Sequence, residues 1–347
     1  MIRLIRAAGI VLVLAVCQRT QGQAPAAQSP EFNAGPFQIT GLIDVYGSLN
    51  FNHPESRVNQ LRNFDVKANQ FSLNMAKLTL EHAPDPIGLR VDFGAGRTFD
   101  MMHASESGPS VFQNIEQAFL SYRPEKGKGF QVDFGKFVTS AGAEVIETYP
   151  NWNYSRSLLF ALALPYYHFG VRATLPQVGP VTAGVQLVNG WNNVEDNNSG
   201  KTIGLTAAID AGRVSWFNNY YTGVEASEPG AGRRHLYDTT VLATLNSRTS
   251  AYLNFDYGVD NGTPGQRARW TGVAGAARFA VSQNVAVAGR AEWFNDAEGF
   301  STGTAQKLKE VTLTGEYRFR PGLLGRLEYR HDWSNQPFFD RGSTPAA

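Results

Sequence analysis

The sequence predicts an all-β fold, a transmembrane antiparallel up-and-down β-barrel of about sixteen strands. Apolar and polar residues alternate with period two along most of the chain, which is typical of strands that separate two environments. The connections between these segments alternate between short and long along the chain. Beyond the N-terminus, no apolar run reaches the about 18 to 20 residues that a membrane helix needs. A closed barrel is then the spanning structure that satisfies every backbone polar group in lipid.

The N-terminus has the features of an export signal, predicted over residues 1–22. Arg3 and Arg6 form its positive region, and Ala7 to Cys17 form an apolar core of about eleven residues, too short to span a bilayer. Small residues before Gln23 indicate the cleavage site. A lipoprotein signal ending at the chain's single cysteine is the alternative, which the bulky residue before that cysteine disfavours.

The mature chain is predicted to consist of a disordered lead-in over 23–35 and a single barrel domain over 36–347. Loss of Cys17 with the signal would leave no thiol and no disulfide. Lys and Arg total 31 against 30 for Asp and Glu, so the near-zero net charge argues against nucleic acid as a partner. An exported chain that forms a closed barrel is predicted to lie in an outer membrane.

About fifteen strands can be recognised, and the clearest hairpin is the last. Val311, Leu313 and Tyr317 share one face of its first strand, while Thr312 and Glu316 share the other. In order, the predicted strands cover 43–51, 70–82, 89–93, 118–122, 131–134, 166–175, 181–187, 203–209, 213–221, 237–245, 251–257, 273–281, 285–293, 310–320 and 326–333. In the second of these the alternation slips near Lys77, which predicts a β-bulge.

The turns support a membrane barrel rather than a soluble sandwich. Short Pro, Gly, Asn and Asp turns fall at 84–86, 124–129, 176–179, 210–212, 246–248, 282–284 and 320–322. Long connections fall at 53–69, 98–113, 138–164, 191–199, 223–233, 260–267, 295–307 and after 333. Short turns at one rim and long loops at the other are typical of outer-membrane barrels. Aromatic residues lie at both rims, with Tyr317 and Phe319 beside a short turn and Trp293 and Trp333 beside long loops.

The long connection Val138 to Leu164 fits no strand period. Pro150 and Pro165 bound any helix that it could form, and its end from Leu158 onward is apolar. Long irregular insertions in regular domains are usually functional. We therefore predict a loop folded into the bore, a flap over the rim being the alternative. Its candidate constriction residues are Glu144, Glu147, Trp152, Tyr154 and Arg156.

Several motifs resemble Gram-negative outer-membrane porins, and more narrowly the OmpL-like β-barrel porins. They are Phe134–Phe137, Asn151–Phe160, Pro165–Arg172, Glu328–Arg330 and Ser334–Asn335. The resemblance implies a pore narrowed by an inward-folded third long loop, which is the connection 138–164 here. It also implies a last strand that ends on an aromatic residue. This sequence ends on Pro-Ala-Ala instead, so a sixteenth strand is expected to be missing, and whether the chain is a fragment stays open.

Charged and polar side chains are predicted to line the pore. The candidates are Arg90, Asp92, Asp133, His168, Arg172, Arg290, Glu292, Glu316, Arg318, Arg326, Glu328 and Arg330. They could form cross-strand ion pairs that fill a polar wall, or a charged constriction that sorts solutes by size and sign. Glu144 and Glu147 opposite wall arginines would create a transverse field, whereas Arg156 could instead attach the loop to wall carboxylates. The near balance of lumen charge argues only against strong selectivity.

The predicted function is passive diffusion of small hydrophilic solutes or ions through a water-filled barrel. The histidines have no metal-ligand spacing, and neither a metal, a cofactor nor a catalytic residue is predicted. A hydrolase is one alternative, because His168 follows Ser155 and Ser157 closely in the sequence. A receptor or adhesin barrel is the other. Outer-membrane lipid and the solutes are the expected partners, and a homo-oligomer stays open.

Overall fold

The computed structural model describes residues 32–346 apart from 105, 107, 228 and 264. The predicted signal over 1–22 and the first part of the lead-in lie outside these residues. Strands make up most of the described chain. They are β1 Phe32–Ala34, β2 Phe37–Ser48, β3 Gln70–His82, β4 Ile87–Ala95, β5 Ile115–Tyr122, β6 Gln131–Val138, β7 Tyr167–Thr174, β8 Val181–Val188, β9 Thr202–Asp210, β10 Val214–Val224, β11 Arg233–Thr244, β12 Thr249–Asp260, β13 Ala268–Ala280, β14 Val285–Asp296, β15 Gln306–Arg320, β16 Leu323–Ser334, β17 Phe339–Arg341 and β18 Thr344–Ala346.

Among the described residues, three short helices lie in the long connections: α1 Arg97–Met102, a 3-10 helix Ser110–Asn114 and α2 Leu158–Leu162. Across the described ranges, no helix combines the length and the apolarity that crossing a membrane would require.

β1 to β16 form one sheet in which every strand pairs antiparallel with its neighbours in the sequence. This confirms the predicted up-and-down architecture, including fifteen long strands, β2 to β16. The sixteenth member is the three-residue β1, which lies within residues 23–35 of the predicted lead-in. Gly35 adopts a φ of 63° in the turn, which lets Phe32–Ala34 fold back onto the start of β2.

The two faces of the sheet differ as the alternation predicts. On β15, Leu313 is 59% exposed on the outer face, while its neighbour Thr312 is fully buried on the inner one. On β12, Leu253 is exposed and Asn254 is buried. Apolar side chains outside and polar side chains inside are the reverse of a soluble sandwich, and they match a barrel wall with lipid around it.

The predicted irregularity in β3 is a bulge at Asn74, three residues before Lys77. Asp44 pairs with Met75, and the next residue of β2 pairs with Leu73, so Asn74 is the extra residue. Both Asn74 and Met75 are buried as a result. The Asn74 amide nitrogen donates to the Asp44 carboxylate at 2.7 Å, which fixes that carboxylate on the inner face.

The first and last long strands approach each other through other segments. Among the described residues, no ladder joins β16 to β1 or β2. The β17–β18 hairpin instead binds the first long connection, where the Gly342 N–H donates to the Asn52 carbonyl at 3.0 Å. Arg62 of that connection lies 3.4 Å from Asp332 on β16. The long connection between β6 and β7 contacts both β2 and β16.

Candidate pore

The connection Val138 to Leu164, called the inserted loop below, is attached to β16 by backbone carbonyls. Arg326 donates through Nη1 to the Thr148 carbonyl at 2.6 Å and through Nη2 to those of Tyr149 and Asn151 at 3.2 and 2.5 Å. Its guanidinium also meets Glu316 at 2.7 Å. The rigid fork of arginine therefore satisfies several carbonyls of a segment that has no ladder of its own.

Two further β16 residues hold the next part of the inserted loop. The Glu328 carboxylate accepts the backbone N–H groups of Tyr154 and Ser155 at 2.6 and 2.9 Å. Arg330 donates to the carbonyl of Arg156 at 2.6 Å. Such charge-assisted bonds are stronger than neutral ones, and here they are buried. Residues 148–156 are thus fixed against β16.

Arg290 of β14 is the centre of a buried charge cluster under the inserted loop. It contacts Glu144 of the loop at 2.6 Å, Glu292 at 2.9 Å and Glu310 at 3.1 Å. It also donates to the Ser155 carbonyl at 2.7 Å. A buried guanidinium needs such partners, because removing one of them would leave an uncompensated charge.

The inserted loop also reaches the first strands of the sheet. Asp44 on β2 accepts hydrogen bonds from the Thr148 hydroxyl at 2.9 Å and from the Tyr154 hydroxyl at 3.2 Å. Lys77 on β3 forms ion pairs with Glu147 of the loop and with Glu116 on β5. Burial opposes ionisation of Glu147, but the Lys77 ammonium overcomes this and holds the pKa of Glu147 below its ordinary value.

Contacts with more distant strands place the inserted loop across the interior. Ser140 donates to Asn219 on β10 at 2.7 Å and lies 2.9 Å from the Tyr221 hydroxyl. The ring of Trp152 lies 5.1 Å from that of Tyr252 on β12. The loop therefore contacts the inner face both at the first strands, β2 and β3, and at the later strands β10 and β12.

The apolar end of the inserted loop packs against inner-face residues of β13 to β15. Ser157 caps α2 by accepting the Phe160 N–H, as expected before a short helix. Leu158 and Leu159 are fully buried against a cluster that includes Trp270, Phe294, Leu308 and Ala274. A Cβ atom at position 272 would lie 2.7 Å from Leu159, so glycine there makes room for the helix.

The five candidate constriction residues are mostly buried contacts between loop and wall. Trp152, Tyr154 and Arg156 are at most 6% exposed, and Glu144 is 5% exposed. The side chain of Glu147 keeps 13% exposure. Arg156 donates to loop carbonyls, including those of Val145 and Tyr154 at 3.1 and 2.6 Å. No ion pair joins it to a wall carboxylate within the described residues. Because each loop acid meets a wall cation, the loop presents little unpaired negative charge.

The predicted lumen residues do lie on the inner face, paired both across strands and along one strand. Asp133 and Arg172 form a cross-strand pair 2.7 Å apart, and Arg90 and Asp92, two residues apart on β4, lie 3.0 Å from each other. His168 is fully buried, bonds the Gly190 carbonyl through Nδ1 at 3.0 Å and stacks on Tyr221. The Ser155 hydroxyl accepts from Arg290 at 3.4 Å and the Ser157 hydroxyl accepts from the Phe160 N–H at 2.9 Å. Among the described residues, neither hydroxyl bonds His168, so the hydrolase alternative gains no support from the site.

The predicted set of pore-lining residues left out several members of this inner face. Asp44, Lys77, Glu116, Arg278 and Glu310 all take part in its hydrogen bonds or ion pairs. The period-two alternation puts Asp44 and Glu310 on the polar faces of their predicted strands, and it could have found Arg278 in the same way. Lys77 was harder to assign, because the extra residue Asn74 reverses which positions of β3 face inward after the bulge.

A β-barrel with a lipid-facing exterior, a polar interior and an inserted loop defines the class of outer-membrane porins. The chain belongs to the family described as "Putative beta-barrel porin-2, OmpL-like", whose model matches residues 36–347. This confirms the predicted resemblance and the location in the outer membrane. No curated protein matches the sequence.

Solved structures share the fold at low sequence identity. OmpT, an outer-membrane protein of Vibrio cholerae, has a TM-score of 0.57 at 12% identity, covering 88% of this chain and 90% of that one. The outer-membrane channel DcaP of Acinetobacter baumannii has a TM-score of 0.54 at 10% identity, covering 89% and 100%. At such identities the likeness shows the fold alone.

Proposed function

We propose that the protein is a porin through which small hydrophilic solutes or ions diffuse passively, and that the inserted loop narrows its bore. The observation that carries the proposal is the set of loop contacts to β2, β10, β12, β14 and β16. A barrel of about sixteen strands leaves an aqueous channel unless something obstructs it. A segment attached at so many inner-face positions would act as that obstruction.

The open passage lies, in this proposal, on the side of β7 to β9. Most loop contacts are with β2, β3 and β10 to β16. On the opposite wall, the inner-face residues Arg172, Thr182 and Thr206 keep partial exposure. Hydrophilic side chains around a water-filled gap suit polar solutes and give no binding chemistry of catalytic type. The separation of His168 from Ser155 and Ser157 supports a non-enzymatic role.

The test is the size limit for uncharged sugars in liposome swelling. Deleting residues 142–154 should admit larger sugars than the wild type admits, because the bore loses its obstruction. The deletion also removes the loop carbonyls that Arg326 bonds and some of the loop partners of Arg290 and Glu328, so folding is verified by the heat-modifiable shift in gel mobility. A folded deletion variant with the wild-type size limit would contradict the constriction.

A pair of point variants gives the same test without a deletion. Arg326→Gln removes a guanidinium that bonds both Glu316 and the loop carbonyls, so the loop should loosen and the size limit should rise. Arg318→Gln removes another arginine partner of Glu316 that makes no bond to the loop within the described chain, and it should leave the size limit unchanged. Equal limits in the two variants would count against a loop held in the bore.

A further inference from the structure

Near-equal numbers of acidic and basic residues do not make the water-facing surface of the bore neutral, because the two signs are exposed to different degrees. The side chain of Arg172 is 28% exposed, while its partner Asp133 is 5% exposed. Arg278 and Arg318 are 18% and 30% exposed, while the Glu316 that both contact is 5% exposed. In each pair the carboxylate lies against the wall and the guanidinium lies toward the water.

The buried carboxylates are also saturated by donors from the wall. Asp133 accepts from the Ser121 hydroxyl at 2.6 Å and from the Gln131 amide at 2.7 Å, in addition to Arg172. Three arginines share Glu316, including the fully buried Arg326. These carboxylates therefore have little capacity left for a passing cation.

The exposed arginines keep donors free. Within the described residues, Arg172 and Arg318 make hydrogen bonds through Nε only, so both Nη groups of each are available. Arg123 adds a further exposed guanidinium that bonds the neutral Gln131 and no carboxylate among these residues. Arginine presents such donors in a planar fork that matches carboxylate and phosphate oxygens.

These arginines also lie at the same height in the barrel. Arg172, Arg278 and Arg318 each stand two residues before the last residue of their strands, β7, β13 and β15, next to a short turn. Arg123 directly follows β5 at the same rim. Two acidic side chains also lie at this end of the inner face: Glu81, which is 36% exposed and pairs with Arg90, and Asp210, the exposed last residue of β9. The short-turn end of the bore therefore presents an incomplete ring of guanidinium groups.

We infer that this arginine ring makes the pore prefer small anions, inorganic or carboxylate, over cations. The inference rests on the proposed porin function and names its solute class. Like charges around a narrow, low-dielectric opening raise the local concentration of counter-ions and exclude co-ions. Counting charges in the sequence misses this preference, because it depends on which partner of each ion pair faces the water.

The reversal potential of the refolded full-length protein in planar bilayers tests the inference, with a KCl gradient across the membrane. The wild type should pass chloride several-fold better than potassium. The variant Arg172→Gln/Arg278→Gln/Arg318→Gln should lose most of this preference. The preference should also weaken toward 1 M salt, where the Debye length falls to about 3 Å.

A matched control removes the same number of charges from the long-loop end. Arg57→Gln/Arg97→Gln/Arg269→Gln changes exposed arginines far from the short turns and should keep the wild-type preference. If the first triple variant does not fold, Arg318→Gln alone should show part of the same shift, because that side chain is the most exposed of the three.

The outcomes separate the two proposals. No single-channel conductance from folded wild-type protein would overturn the porin function itself. Conductance with cation preference, or with a preference that the arginine variants leave unchanged, would overturn the anion inference and leave the porin function standing.

Discussion

Neighbouring residues of one strand meet different surroundings in this protein. On β9, Leu205 is 51% exposed on the outer face, whereas Thr206 is partly exposed on the inner one. Strand geometry alone causes this difference, because successive side chains point to opposite faces. The effect of a substitution on stability should therefore depend more on whether the position faces lipid or the bore than on the chemistry of the new residue.

We expect Leu205→Arg to destabilise the barrel by about 2 to 4 kcal/mol, the range for arginine near the bilayer midplane. Thr206→Arg places the same side chain at the next position, toward the bore, and should cost much less. Urea unfolding in lipid vesicles measures both. Equal losses of unfolding free energy would mean that the alternation does not mark a lipid boundary.

At the scale of the element, the inserted loop is held mainly by charged groups rather than by a ladder. Glu147 illustrates this dependence, because Lys77, Arg90, Asp92 and Glu116 surround its carboxylate. Burial raises the pKa of Glu147, but the charge and hydrogen bond of Lys77, together with the charge of Arg90, lower it, and the net result is a folded pKa below the ordinary value of 4.5. The ionised form is thus the one that the folded state stabilises.

The sign of this shift predicts weaker attachment of the loop in acid. A carboxyl whose folded pKa is depressed stabilises the fold above its unfolded pKa, and this stabilisation is lost as the pH falls through the folded pKa. Loop protection in hydrogen exchange should therefore decrease below about pH 4.5. Glu147→Gln should remove that part of the pH dependence.

Glu298→Gln is the matched control for this experiment. Glu298 also has a depressed pKa, caused first by its hydrogen bond with Arg269, but it lies in an exposed connection and its partner Arg269 is not a loop residue. The control should keep the wild-type acid response of residues 142–156. An identical response in all three proteins would show that Glu147 does not hold the loop.

At the scale of the whole molecule, the alternation of short and long connections implies sidedness. Short turns face the periplasm and long loops face the outside in outer-membrane barrels. Lys126 and Lys128 lie in the connection between β5 and β6, at the rim of the short turns, and Arg267 lies in the connection between β12 and β13, at the opposite rim. All three are exposed, so trypsin reaches them according to the side of the membrane on which they lie.

Trypsin added to intact cells should therefore cut after Arg267 and spare Lys126 and Lys128. Permeabilising the outer membrane should open the two lysine sites as well, which serves as the control for their intrinsic susceptibility. Mass spectrometry of the fragments reads out the sites. Cleavage at Lys126 in intact cells would mean that the barrel has the opposite orientation, with its short turns outside.

The sequence by itself determined the strands, the two faces of the wall and the order of short and long connections. These are local properties, because the side-chain period of a strand and the chemistry of a turn depend on a few adjacent residues. Leu313 and Thr312 were assigned to their faces correctly for this reason, and the slip in β3 indicated a bulge within three residues of its true place.

Only the tertiary structure decided how the inserted loop is held and which charges face the water. Arg326 meets carbonyls more than 170 residues earlier in the chain, and backbone carbonyls carry no signature in the sequence. Glu144 and Glu147 were predicted to lie opposite wall arginines, and the folded structure decides which wall cations they meet, Arg290 for Glu144 and Lys77 for Glu147. The exposure of each charged side chain depends on how the wall packs around it, which no local sequence pattern encodes. Arg172 is therefore partly exposed while its partner Asp133 is buried.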